Sequence, residues 1–300
     1  MPEFTNVKKD DKYFTEIALR LVGFGTDGMP FSFGTAFVIQ PYLLVTARHV
    51  VEAFIANGST TENKNEIKLT FWAIQIEWVN GEHNYNIWQV VNAYFSPHSD
   101  ICLLHVGAHN DTAAQYKQWK AVPVSFVPPE VDDEVIAFGF HATKFEGSKV
   151  TDDGELEHLE LNDISSKSTG RVKQVHLIKR DSTMLPFPCF EVDSRFDPGM
   201  SGGLVINSKS ELCGIVCSSM PVDNSHFSHV AMIWPIMAIE VDFGDSDARI
   251  QGMQTLSKLV EIGKWQPVGG DNVKVQHVNG ERYPTATYYG TKKGLTNHCT

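Results

Sequence analysis

The segment Asp197-Pro198-Gly199-Met200-Ser201-Gly202-Gly203-Leu204-Val205 surrounds one serine with glycines and then runs into an apolar strand. That arrangement suits a serine acting as a nucleophile on a carbonyl. The backbone has to turn tightly so that the N–H groups of Gly199 and Ser201 converge on the developing oxyanion. A side chain at Gly199 would obstruct that turn. Each such donor is worth on the order of 10² to 10³ in rate. Taken alone, an ordinary β-turn carrying an incidental serine reads the same way.

A hydroxyl needs a base, and a base needs a group to orient it. In Leu44-Val45-Thr46-Ala47-Arg48-His49-Val50-Val51 an apolar strand ends at Thr46 and His49 follows three residues later. An imidazole just past a strand end is held by a rigid frame and faces outward, as a general base requires. In Ser96-Pro97-His98-Ser99-Asp100-Ile101-Cys102-Leu103-Leu104 a carboxylate precedes a strongly apolar strand. Asp100 there is either a simple turn residue or the acid that orients His49 and stabilises its imidazolium.

The elements that must position these groups are short. Apolar or alternating runs of five to eight residues, such as Glu16-Ile17-Ala18-Leu19-Arg20-Leu21-Val22, Thr35-Ala36-Phe37-Val38-Ile39 and Ile101-Cys102-Leu103-Leu104-His105-Val106, are punctuated by Gly, Pro, Asn and Asp. Asn80-Gly81 and Asn279-Gly280 carry hairpin signals. This pattern predicts an all-β barrel or sandwich. Residues 108–120 read as the connection between two β units, and 142–170, rich in Lys, Glu, Asp, Ser and Gly, as a long surface loop or excursion. One helix is expected near the end, with Ser246 as N-cap, Asp247 in the first turn, Ile250, Met253, Leu256 and Val260 on one face, and a stop at Gly263.

The joint order His49, Asp100, Ser201, separated by 51 and 101 residues, matches the chymotrypsin arrangement. Gly34-Thr35-Ala36-Phe37-Val38-Ile39, with the His49 segment that follows, resembles the histidine region of trypsin-like peptidases. Asp100-Ile101-Cys102-Leu103-Leu104 is similar to their acid-bearing element, and 193–203 resembles the serine region of bacterial HtrA-type proteases. The resemblance covers about residues 14–240. It implies two six-stranded antiparallel β-barrels with the site between them, His49 and Asp100 from the first and Ser201 from the second. The implied division is an N-terminal tail at 1–13, a protease domain at 14–240 and a C-terminal helix and short extension at 241–300. Within the domain, barrel one takes about 14–110 and barrel two about 121–240. By motif register Arg195 lies at the base of the primary specificity pocket, and Ser218, Ser219 and Met220 form the strand that pairs with substrate backbone. An arginine at that place would select acidic side chains unless Asp193 or Asp197 neutralises it.

Two departures from the family matter. Met200 stands where secreted trypsins carry the aspartate that pairs with a freed N-terminal amine, so activation by N-terminal cleavage is not expected. The chain beyond 240 is too short for the PDZ domain that HtrA enzymes add. The expected activity is therefore a serine endopeptidase of restricted specificity acting on protein or peptide, with room for a regulatory protein partner and no cofactor or metal. The competing readings are a protease fold that binds without cutting and an α/β-hydrolase, whose Gly-x-Ser-x-Gly pattern 199–203 satisfies. The latter orders its triad differently and needs alternating helices.

Composition agrees. Twenty-five basic against 36 acidic residues give a net charge of -11, which disfavours nucleic acid or an anionic membrane as a partner. No apolar stretch approaches the ~20 residues of a membrane helix, and 1–10 has no secretory pattern. The five cysteines are unclustered and read as small core hydrophobes in a reducing, cytoplasmic setting. Cys213 and Cys217, four apart on a strand, are roughly 13 Å from each other and cannot bridge. The twelve histidines show no metal-ligand spacing, and the closest pair, His226 and His229, read as surface residues.

Overall fold

The structure is a computed structural model that describes residues 3–6, 12–25, 29–57, 71–79, 82–150, 156–222, 225–244, 249–278 and 280–290. The chain starts with a short strand β1 (Glu3–Asn6) and helix α1 (Lys12–Ile17). Six strands follow: β2 (Ala18–Phe24), β3 (Pro30–Gln40), β4 (Leu43–Thr46), β5 (Phe71–Val79), β6 (Glu82–Phe95) and β7 (Cys102–Ala108). They close into an antiparallel barrel in the order β2-β3-β4-β7-β6-β5. Helix α2 (Arg48–Asn57) interrupts the run directly after β4. Every residue of β4 is buried, one face lying in the barrel and the other beneath neighbouring chain.

Residues 109–133 cross to the second unit and carry a one-turn helix α3 (Asp111–Gln115), capped by the Asn110 side chain accepting the Ala113 N–H at 3.0 Å. Strands β8 (Glu134–Val150), β9 (Leu156–His176), β10 (Cys189–Val192), β11 (Leu204–Asn207), β12 (Leu212–Val222) and β13 (Ser225–Met232) form the second sheet. Its order is β9-β10-β13-β12-β11-β8, and pairing of β8 with β9 closes the ring, with β1 added outside β9. The two barrels meet through aromatic and cationic groups. Phe14 stacks on Phe138 with centroids 4.8 Å apart, and the buried Arg20 guanidinium lies 4.3 Å from the Phe140 ring.

Two local expectations are corrected. Residues 142–150 and 156–170 belong to the paired strands β8 and β9, an excursion of sheet and not a loop, with register shifts at 140/142, 145/147 and 149/150; residues 151–155 lie outside the described residues. Polar composition hid the alternation. Phe145, Leu156, Leu159 and Leu161 form one apolar face, and it packs on Val22, Trp72 and Ile74 of barrel one. The C-terminal helix is shorter than expected, Ser257–Glu261 (α4), because 253–255 forms strand β15 (Met253–Thr255) against β14 (Glu240–Asp242). Gly252, in the left-handed region at φ 59°, breaks any continuous helix from 246. Gly263 at φ 73° still ends the helix where the sequence places its stop. Ser246, Asp247 and the Asn80-Gly81 turn lie outside the described residues. Beyond α4, β16 (Val273–Gln276) pairs with β17 (Thr285–Tyr288), and Trp265 packs edge-on against Phe126.

Candidate active site

Barrel one builds the half that carries His49 and Asp100. The turn 96–100 is closed by the Ser96 N–H donating to the Ile101 carbonyl at 2.9 Å, and it presents Asp100 to the first turn of α2. There the Asp100 Oδ1 accepts the His49 backbone N–H at 2.9 Å, meeting one of the unpaired donors at a helix N-terminus. Arg48 Nη1 ties α2 to the same turn by donating to the Ser96 carbonyl at 2.9 Å. With the helix and turn locked, the His49 side chain returns to Asp100: Nδ1 lies 2.7 Å from Oδ2. Asp100 is 8% exposed, whereas the His49 side chain is 44% exposed to the cleft. Burial lowers the imidazole's pKa, but the hydrogen bond and charge of Asp100, helped by Glu52, outweigh it and hold His49 above its ordinary value.

Barrel two builds the turn that carries Ser201, and barrel one holds that turn in place. The Ser201 carbonyl accepts the Thr35 N–H at 2.9 Å. The Thr35 hydroxyl donates to the Gly199 carbonyl at 3.1 Å and accepts the Phe140 N–H at 3.0 Å. The Thr35 carbonyl in turn accepts the Thr46 hydroxyl at 2.7 Å. Approach this close requires Gly202: at φ 80°, a Cβ there would meet the Thr46 hydroxyl at 2.2 Å and the Thr35 carbonyl at 2.3 Å. Within the turn, N–H groups alternate. Those of Met200, Gly202 and Gly203 are accepted by the carbonyls of Asp197, Val216 and Met200 at 3.0, 2.9 and 2.8 Å. Those of Gly199 and Ser201 have no acceptor among the described residues. Met200 is fully buried, with its Sδ 3.3 Å from the Asp197 N–H.

Two cavities meet at this seam. One of about 730 Å³ is lined by His49, Asp100, Phe187 and Cys217, and one of about 400 Å³ by Arg195, Phe196, Pro198 and Ser201. Ser218 and Ser219, on β12, line both. Met220 continues that strand, opposite Phe227. His49 and Ser201 thus open on adjoining cavities, and no hydrogen bond joins them among the described residues. Arg195 does line the serine's cavity, but its Nε and Nη2 donate to the two oxygens of Asp197 at 2.5 and 2.8 Å, and its guanidinium lies over the Phe4 ring.

Three contributors escaped the sequence reading. Thr35 sits in a quoted motif, but its cross-barrel bonding is not a local property. Cys217 is more than a core hydrophobe, since its Sγ donates to Asp100 Oδ2 at 3.0 Å. His229 is 1% exposed and not a surface residue: Nδ1 is 3.3 Å from the Ser218 hydroxyl, and Nε2 is 3.4 Å from Glu191. The alternation of β13 had pointed to none of this. The four described cysteines, Cys102, Cys189, Cys213 and Cys217, are free and buried, and Cys299 lies outside the described residues. No helix among the described residues is long and apolar enough to cross a membrane.

Comparison with known proteins follows the same line. The chain is similar to the crystal structure of the active form of the Rv3671c protease from M. tuberculosis. The two are 15% identical with a TM-score of 0.46, over 86% of this chain and 85% of that one. The inactive form of that protease aligns at 15% identity and a TM-score of 0.40, over 73% and 84%. No curated protein sequence matches. The profile of the trypsin-like peptidase domain matches residues 34–215, more than half of the chain and the whole span from Thr35 through His49 and Asp100 to Ser201, so this chain belongs to the trypsin-like peptidase domain family.

Proposed function

We propose that this serine endopeptidase works through His49, Asp100 and Ser201, with the N–H groups of Gly199 and Ser201 as its oxyanion hole. In this reading His49 Nε2 takes the hydroxyl proton as Ser201 Oγ attacks the peptide carbonyl. Asp100 fixes the Nδ1–H tautomer and stabilises the imidazolium. The negative charge that develops on the carbonyl oxygen is met by the two free N–H groups. The imidazolium then protonates the leaving amine, and water repeats the sequence on the acyl-enzyme. The observation that carries the proposal is the 2.7 Å His49–Asp100 contact, made to a carboxylate already pinned by the His49 backbone.

Specificity on this reading is polar but not acid-selecting. Arg195 has two of its donors engaged by Asp197, which leaves the hydroxyls of Ser218 and Ser219 as the polar groups offered to a substrate side chain. The burial of Met200 supports activity without N-terminal cleavage, because no carboxylate waits there for a freed amine. Free, buried thiols support a reducing, cytoplasmic setting. We place the catalytic unit at 14–240, with the elements beyond it packed on barrel two as an accessory.

The test is cleavage of an unstructured protein by the full chain and by Ser201→Ala, with sequencing of the new N-termini. Products from the wild type alone support the proposal; equal products, or none from either, contradict it. A second reading, a protease fold that binds without cutting, draws on one observation: the resting imidazole makes no hydrogen bond to Ser201. Tight binding of the substrate by both proteins with no new N-termini would favour it.

A further inference from the structure

Cys217 enters the site from barrel two and reaches the acid of barrel one. Its Sγ is 3.0 Å from Asp100 Oδ2, the same oxygen that lies 2.7 Å from His49 Nδ1. One imidazole nitrogen, one carboxylate oxygen and one sulfur therefore lie within 4.8 Å of one another. All three residues line the 730 Å³ cleft, which gives solvent and ions a route in. Asp100 Oδ1 is held separately by the His49 backbone N–H, so Oδ2 is the oxygen left for this cluster.

We propose that His49, Asp100 and Cys217 form an inhibitory site for a thiophilic divalent cation, for which Zn²⁺ is the natural probe, and that occupancy switches the catalytic base off. The inference rests on the proposed role of His49. Nitrogen, sulfur and carboxylate oxygen with one cleft water make a four-coordinate set that such an ion accepts. Metal–ligand bonds of about 2.0–2.3 Å place neighbouring donors roughly 3.3–3.6 Å apart, so the 2.7 and 3.0 Å contacts to Asp100 Oδ2 need to open by about half an ångström while the imidazole nitrogen and Sγ, within 4.8 Å of each other, draw together. Charge also balances. Thiolate and carboxylate supply one negative charge each against the dication, and a neutral assembly avoids the penalty of an unpaired buried charge.

The proton accounting explains the inhibition. The thiol proton leaves to solvent as the Sγ–metal bond forms. The metal takes the place of the proton on Nδ1, and the neutral ring then carries its proton on Nε2. No lone pair remains to accept the proton of Ser201. Without metal, burial and the neighbouring Asp100 charge hold the Cys217 thiol well above its ordinary pKa, so it stays protonated and a poor target for alkylating reagents. The sequence could not display this site, since its ligands come from α2, the 96–100 turn and β12.

The test uses the full chain carrying Ser201→Ala, titrated with Co²⁺ as a spectroscopic substitute. We expect near-ultraviolet thiolate-to-cobalt charge transfer with tetrahedral visible bands, and loss of the charge transfer when Cys217→Ser or Cys217→Ala is added. In the active protein, Zn²⁺ should inhibit reversibly with a chelator. Half-inhibition, referred to each variant's own uninhibited rate, should need at least about tenfold more metal in Cys217→Ser. Cobalt binding without charge transfer, or Zn²⁺ inhibition unaltered by Cys217→Ser, overturns the site. The cobalt arm reads no turnover, so its failure leaves the peptidase reading standing. Cobalt binding through Cys217 in a wild type that never cleaves would instead remove the base-switching role.

Discussion

The two halves of the site are stabilised in different ways. The His49–Asp100 half is self-contained: the 96–100 turn, the first turn of α2 and the imidazole close a ring of hydrogen bonds inside barrel one. The Ser201 half is not. Its turn takes its internal shape from barrel two, but its position comes from Thr35 of barrel one, which contacts both Gly199 and Ser201. The His49–Asp100 pair is thus preorganised locally, whereas Ser201 and the proposed oxyanion donors are preorganised only when the barrels are docked. Damage to the first half should change the chemistry of the base, and damage to the second should change where the serine sits.

The largest effect should come from the first half. Asp100→Asn should lower kcat by about 10⁴, the cost of the wrong tautomer in the trypsin example from which that magnitude is taken. It should also move the acidic limb of the pH–rate profile. On the proposed mechanism activity needs neutral His49, and Asp100 holds its pKa above the ordinary value, so the wild-type rate should fall as pH drops through that raised pKa. With the carboxylate gone, burial is opposed only by the charge of Glu52 and the limb shifts to lower pH. A limb that stays in place would show that Asp100 does not set the base.

A smaller effect should follow from severing the link. Thr35→Val keeps the shape but removes the hydroxyl from Gly199 and leaves the Phe140 N–H without its partner. At about 1–3 kcal/mol for such a loss, kcat should fall roughly ten- to a hundredfold. The pH–rate limb should not move, which distinguishes a displaced serine from an altered base. A shifted limb would break the division between the halves.

Smallest of all should be Arg195→Ala. With its guanidinium engaged by Asp197 on the surface, its removal should alter peptide preference by no more than about twofold, measured with a peptide library. A large loss of cleavage after acidic residues would instead show that the pair opens for substrate.

The same contrast explains what could be read from the sequence. The candidates His49, Asp100 and the glycine-flanked Ser201 stand out in the sequence because each occupies a local motif beside an apolar run, and the closed barrels follow from the resemblance those motifs carry. Thr35 and Cys217 were not, because their roles are bonds across the interface between elements far apart in the chain. His229 looked exposed because β13 gives no sign that Glu191 of β10 and Ser218 of β12 flank it. The β8–β9 pairing over 142–150 and 156–170 is hidden for a different reason. Its charged outward face dominates composition, while the apolar face of Phe145, Leu159 and Leu161 appears only at period two.

Reaction with a fluorophosphonate probe tests the central claim most directly, because only a serine whose proton can be taken by a neighbouring base is phosphonylated. We expect rapid labelling of the full chain, mapped by peptide mass to Ser201, absent in Ser201→Ala and strongly slowed in His49→Ala. Labelling elsewhere, no labelling of a folded protein, or equal rates with and without His49 would contradict it.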